Sequence, residues 1–168
     1  MIPDLNFFNG KTSREYEGRM YYRSFSPFEK NGKYELIFRS ITMNSSYEQV
    51  IMVGMHSFIG SISINSEAIK LKKAKHDGFF IYEKDARPDG SISLLIDYRG
   101  GIIFIQNDML GWSTDISFQK KELVNTAMIV EKLNDNTYRF YCNDKEYDDD
   151  FDDLVFEMEI HEISNSKM

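Results

Sequence analysis

Near its end the chain reads Leu154-Val155-Phe156-Glu157-Met158-Glu159-Ile160-His161, with large apolar side chains at every second position. Successive side chains of an extended strand point to opposite faces, so such a run buries one face against a core and leaves the other in water. Residues 33–43 follow the same rule, with Tyr34, Leu36 and Phe38 alternating against Glu35, Ile37 and Arg39. Four alanines and three prolines stand beside thirteen phenylalanines and ten tyrosines, a balance that suits pleated strands better than helices. The expected fold class is mainly β: a strongly bent antiparallel sheet or open barrel with one or two short helices, α+β being the alternative.

Turn chemistry divides the runs. Arg87-Pro88-Asp89-Gly90 lies between 79–84 and 91–98 and predicts a hairpin, proline presetting one turn residue and glycine supplying a positive φ. Arg99-Gly100-Gly101 reads as a second turn before Ile102-Ile103-Phe104-Ile105-Gln106, which makes a three-stranded meander. Leu133-Asn134-Asp135-Asn136 predicts another hairpin, between 126–132 and 137–142. Two segments read either way. Ser45 and Glu48 have capping-box spacing ahead of Val50, so 46–56 suits a helix, although Gly54 weakens it. Residues 66–75 suit a short helix or an exposed edge strand.

The length of 168 residues fits a single domain, 1–168, large enough to fold without disulfides or a structural metal. One cysteine, Cys142, excludes an internal disulfide. The beginning of the sequence has neither a basic leader nor a long apolar core, so no export signal is expected and the cytoplasm is the expected compartment. No apolar run approaches the roughly 20 residues that span a bilayer, and no membrane association is expected.

Charge is distributed unevenly. Of the net −7, residues 144–153 carry −6, in the run Asp-Lys-Glu-Tyr-Asp-Asp-Asp-Phe-Asp-Asp. Such a field repels phosphate backbones and attracts basic partners, so nucleic acid is not an expected ligand. The carboxylates Asp144, Glu146, Asp148, Asp149, Asp150, Asp152 and Asp153, with Tyr147 and Phe151 as anchors, form the candidate partner-binding site. The run does not match the EF-hand pattern, and loose calcium binding by its carboxylates is a minor alternative.

No catalytic residue stands out. His56, His76, His161 and Cys142 lack zinc-site spacing, so no metal and no cofactor is expected. His161 reads as a surface residue beside Glu159 and Glu162. His56 and Ser57, adjacent in a strand, point to opposite faces and do not make a nucleophile and base. Trp112 reads as a core or rim residue. The basic run Lys70-Leu71-Lys72-Lys73-Ala74-Lys75-His76, followed by Phe79, Phe80 and Tyr82, reads as a solvated edge protected from aggregation rather than a platform for single-stranded RNA.

The strand Gly101-Ile102-Ile103-Phe104-Ile105-Gln106-Asn107-Asp108, together with the acidic segment 144–153, resembles the immunity proteins that bacteria pair with secreted toxins, in particular those of contact-dependent growth inhibition. That resemblance implies a non-enzymatic, cytoplasmic antitoxin that binds a basic toxin domain, often a nuclease, and blocks its active site or RNA-binding groove. Two rival expectations come from other classes. A small-ligand β-barrel-like module predicts a cavity in the bent sheet, and a hydrolase predicts a cleft where carboxylates converge on His56 or His161.

Overall fold

The alternating runs become strands because extended backbone lets each bury one face and pair both edges. A computed structural model describes residues 11–43, 49–72, 75–109, 127–143 and 154–163. Its strands are β1 (Ser13–Tyr16), β2 (Arg19–Tyr22), β3 (Gly32–Met43), β4 (Gln49–Ile64), β5 (Glu67–Ala68), β6 (His76–Ile81), β7 (Ser91–Met109), β8 (Ala127–Asn134), β9 (Thr137–Asn143) and β10 (Leu154–Ile163). They form one antiparallel sheet in the order β1-β2-β8-β9-β10-β3-β7-β4-β5, with β6 pairing β4 on the edge that β4 also offers to β5. The sheet stays open. Among the described residues it is drawn together at one isolated bridge, where Phe25 and Ile105 exchange backbone hydrogen bonds of 2.8 Å in both directions. The mainly-β, strongly bent architecture expected from the sequence is the one observed.

The bend lies in the two longest strands. Val53 and Met55 of β4 face the core before it, and Ile62 does so after it; in β7 the inward residues change from Leu94 and Ile96 to Ile103 and Ile105. This change of parity requires irregular pairing, and the β4–β7 register shifts between His56 and Ile59 and again between Ile59 and Gly60. Two glycines permit the backbones to cross closely. A Cβ on Gly60 (φ 144°) would lie 1.8 Å from the Asp97 carbonyl oxygen, and one on Gly101 (φ 79°) would lie 2.1 Å from that of Ser57. No larger residue fits either place without moving a backbone.

Beyond the bend, β4 and β7 turn back over the rest of the sheet and enclose the core. Asn65, after β4, donates to the Asp85 carbonyl and accepts from the Ser93 amide, at 2.7 and 3.0 Å. Asp85 follows β6, whose Ile81 pairs with Ile51 near the start of β4, so the two ends of β4 are tied to a common neighbourhood. Phe38, Phe140, Phe156, Leu36, Leu94 and Met158 are buried between the walls, and Phe140 stacks on Phe156 with centroids 4.6 Å apart. Fully burying a side chain of this kind contributes about 1.5–3 kcal/mol, so these few positions carry much of the fold.

Several local expectations hold. β3 buries Tyr34, Leu36 and Phe38, β10 buries Leu154, Phe156 and Met158, and β8 and β9 form the hairpin around Asp135. Others are corrected. The turn at Arg87–Gly90 does form, with the Gly90 amide on the Arg87 carbonyl at 2.8 Å, but it does not make a hairpin. Both β6 and β7 run antiparallel to β4, on its two opposite edges, so they are parallel and cannot pair with each other. Gly100-Gly101 does not reverse the chain either. The strand runs through it as one nineteen-residue element, and the glycines serve the bend. Residues 49–56 are strand rather than helix, the outcome favoured by β-branched Val50, Ile51 and Val53. Residues 66–75 contain only the two-residue β5 as regular structure among those described. The sole helical element among the described residues is a single 3-10 turn, Glu83–Asp85, and no helix there is long and apolar enough to cross a membrane.

Gly101→Ala should lower stability by about 2–4 kcal/mol in urea unfolding, from strain and backbone displacement together. Gly90→Ala, at φ 84° but in open space, should cost only about 1 kcal/mol. Tyr34 supplies a pH test. Its hydroxyl donates to the Lys30 carbonyl at 2.8 Å, and burial, with Glu162 nearby, raises its pKa above 10.0. A pKa raised on folding stabilises the folded state below the unfolded pKa and loses that contribution as pH rises through the folded one. Stability of the wild type should therefore fall above pH 10.0, and that part of the fall should disappear in Tyr34→Phe.

Candidate functional site

The acidic segment joins two strands that lie side by side. β9 ends at Asn143 and β10 begins at Leu154, with Leu154 paired to Cys142 on one side and to Met43 on the other, while Asn143 pairs with Ala127. Residues 144–153, and with them Asp144, Glu146, Tyr147, Asp148, Asp149, Asp150, Phe151, Asp152 and Asp153, lie outside the described residues, as does Trp112. Their attachment points are firm. Cys142, Leu154 and Val155 are buried, directly beside the stacked Phe140 and Phe156.

On the face turned away from the core, these strand ends adjoin a small aromatic cluster. Tyr16 of β1, Tyr21 of β2, Ile129 of β8 and Tyr141 of β9 pack around Ala127 and remain half-buried. The β1–β2 hairpin puts the first two there through a tight turn in which Glu17 and Gly18 have φ of 50° and 79°. Sequence reasoning missed this cluster. The Glu17-Gly18 dipeptide was the available signal for the hairpin, and the tyrosine count for its chemistry.

A row of alternating charge runs beside the cluster. Glu131, Arg139, Glu157 and Arg39 occupy facing positions on β8, β9, β10 and β3. Arg139 donates to Glu157 through Nη2 at 2.6 Å and Nε at 3.0 Å, and through Nη1 to the Tyr141 hydroxyl at 3.5 Å. The Tyr141 hydroxyl in turn donates to Glu131 at 3.1 Å. Hydrogen bonds with Tyr141 and Glu157 hold the Arg139 guanidinium above its ordinary pKa. Further along, Glu159 takes Arg39 at 2.8 Å and shares a hydrogen bond of 3.0 Å with His161. Cross-strand pairs of this sort fix side-chain geometry on an exposed surface more than they stabilise the fold.

The remaining singled-out residues lie elsewhere. His161 is on the outer face beside Glu159, as read from the sequence. His56 of β4 stacks on His76 of β6, with centroids 4.7 Å apart. Ser57, at φ 51°, sits in the bend with its amide on the Lys75 carbonyl at 2.7 Å. Lys70, Lys72 and Lys75 are exposed, as expected of the basic edge. Among the described residues, no three His, Cys, Asp or Glu side chains gather in a way that would hold a metal ion.

A cavity of about 760 Å³ opens at the bend, between β4 and the chain that follows β5. Met55, Phe58, Ile69 and Leu71 line it together with Lys70, Lys75 and Asp77. The sequence anticipated a cavity in general terms as the mark of a ligand module, but its position depends on a bend that no local motif announces.

No family model matches the chain, and no curated protein matches it.

Proposed function

We propose that the protein is an immunity protein, an antitoxin of the kind that neutralises a basic toxin domain through an acidic surface, acting in the cytoplasm and not as an enzyme. The observation that carries this reading is the attachment of seven acids to adjoining, buried strand ends, beside the half-buried Tyr16, Tyr21 and Tyr141. Carboxylates steer a cationic partner and accelerate encounter, while tyrosines supply rigid contact area that is partly desolvated before binding. The partner that fits is a domain with a cationic active site, and a nuclease has one because it binds phosphates. The carboxylates Asp144, Glu146, Asp148, Asp149, Asp150, Asp152 and Asp153 then occupy the place of the phosphates, with Tyr147 and Phe151 beside them.

The test is capture from lysate of the source cells across a salt series, using the wild type and a variant with Asp148, Asp149, Asp150, Asp152 and Asp153 changed to Asn. The wild type should retain one basic protein whose nuclease activity it abolishes at a 1:1 ratio, and the variant should lose it. Tyr141→Ala should weaken the same complex by about tenfold or more. Retention of the same proteins by wild type and Asn variant, or retention of none at low salt, would sink the proposal.

A further inference from the structure

The cavity at the bend lies between the bulge of β4 and a strap made by residues 69–72 and 75. On one side the Ile69 amide donates to the Ile62 carbonyl at 2.9 Å; on the other the Lys75 carbonyl accepts from the Ser57 amide at 2.7 Å. Between these two anchors β4 carries its irregular residues, with Ser57 at φ 51° and Gly60 at φ 144°. The backbone therefore turns away beneath the strap, and a space of about 760 Å³ is left between them. That is within the range of about 300–1,000 Å³ typical of small-molecule sites.

Its chemistry is two-sided. Met55, almost wholly buried, and the half-buried Phe58, Ile69 and Leu71 form an apolar floor continuous with the core. Lys70 and Lys75 stand exposed at the rim, and neither has a carboxylate partner among the described residues. The one acid in the lining, Asp77, is already engaged: one oxygen accepts the Lys72 amide at 2.7 Å and the other the Gly78 amide at 2.8 Å. Both its oxygens are taken by backbone donors, and the two ammonium groups of Lys70 and Lys75 outnumber its single negative charge.

We propose that this cavity binds a small amphipathic carboxylate, its apolar chain on the floor formed by Met55, Phe58, Ile69 and Leu71 and its head group between Lys70 and Lys75. The cavity is lined by residues of β4, β6 and the chain between β5 and β6, none of which the antitoxin reading uses, so the inference stands independently of it.

Dodecanoate, titrated calorimetrically into the full-length protein below its micelle concentration, is the probe. Dodecylammonium and acetate are the comparisons. Saturable binding of one dodecanoate, with weaker binding of dodecylammonium and none of acetate, is the expected result. In the double variant Lys70→Gln/Lys75→Gln, which alters exposed side chains only, dodecanoate affinity should fall by about fivefold or more. Absence of saturable dodecanoate binding, equal or tighter binding of dodecylammonium, or a smaller fall in the double variant would each overturn the proposal. If the double variant fails to fold, as circular dichroism would reveal, the wild-type comparison of dodecanoate with dodecylammonium decides alone. Ser61→Trp, placing an indole in the lining, should abolish binding; undiminished binding would put the ligand elsewhere and overturn the assignment.

Discussion

The structure depends on two places where backbone meets backbone without a side chain between: Gly60 against the Asp97 carbonyl and Gly101 against that of Ser57. An unbent pair of strands as long as β4 and β7 could not enclose a core by itself. By changing the inward parity at the bend, the pair keeps apolar residues on the inner face along both limbs and folds one limb over β3 and β10. The buried cluster that includes Leu36, Leu94, Ile103 and Phe156 exists because the limbs face each other.

The same device sets the bend apart from the strand ends that carry the acidic connection. The bend and its strap form one end of the sheet order, with an apolar floor and a lysine rim; β9 and β10 hold the acidic connection several strands away. A chain with net charge −7 can in this way offer both a cationic rim and an anionic loop. Across β8, β9, β10 and β3 the outer face carries the ordered row Glu131, Arg139, Glu157 and Arg39, whose alternating signs cancel locally.

How much of this was legible in the sequence follows from the range of the forces involved. Period-two burial is a local property, and it located β3 and β10 with Tyr34, Leu36, Phe38, Leu154, Phe156 and Met158 inward. Turn chemistry is also local, and the β8–β9 hairpin followed from it. Pairing is not local. The Arg87–Gly90 turn formed as its residues dictate, yet the strands on either side went to opposite edges of β4, since the partner of β6 was fixed by a segment more than twenty residues earlier. Gly100-Gly101 was misread for a related reason: a glycine pair serves a reversal or a close crossing equally well, and only Ser57, far away in the chain, decides between them. The candidate acidic site was evident as charge, whereas two of the tyrosines near its attachment points, Tyr16 and Tyr21, come from a hairpin more than a hundred residues away in sequence.

The acidic connection has a further property that follows from where it is tied. Its two points of attachment are held one strand spacing apart by pairings that involve Cys142, Asn143 and Leu154. The entropy of closing such a loop grows only slowly with its length, so residues can be added, removed or exchanged there with little penalty to the sheet. Lineages of this protein are accordingly free to rewrite that stretch quickly while the framework changes slowly.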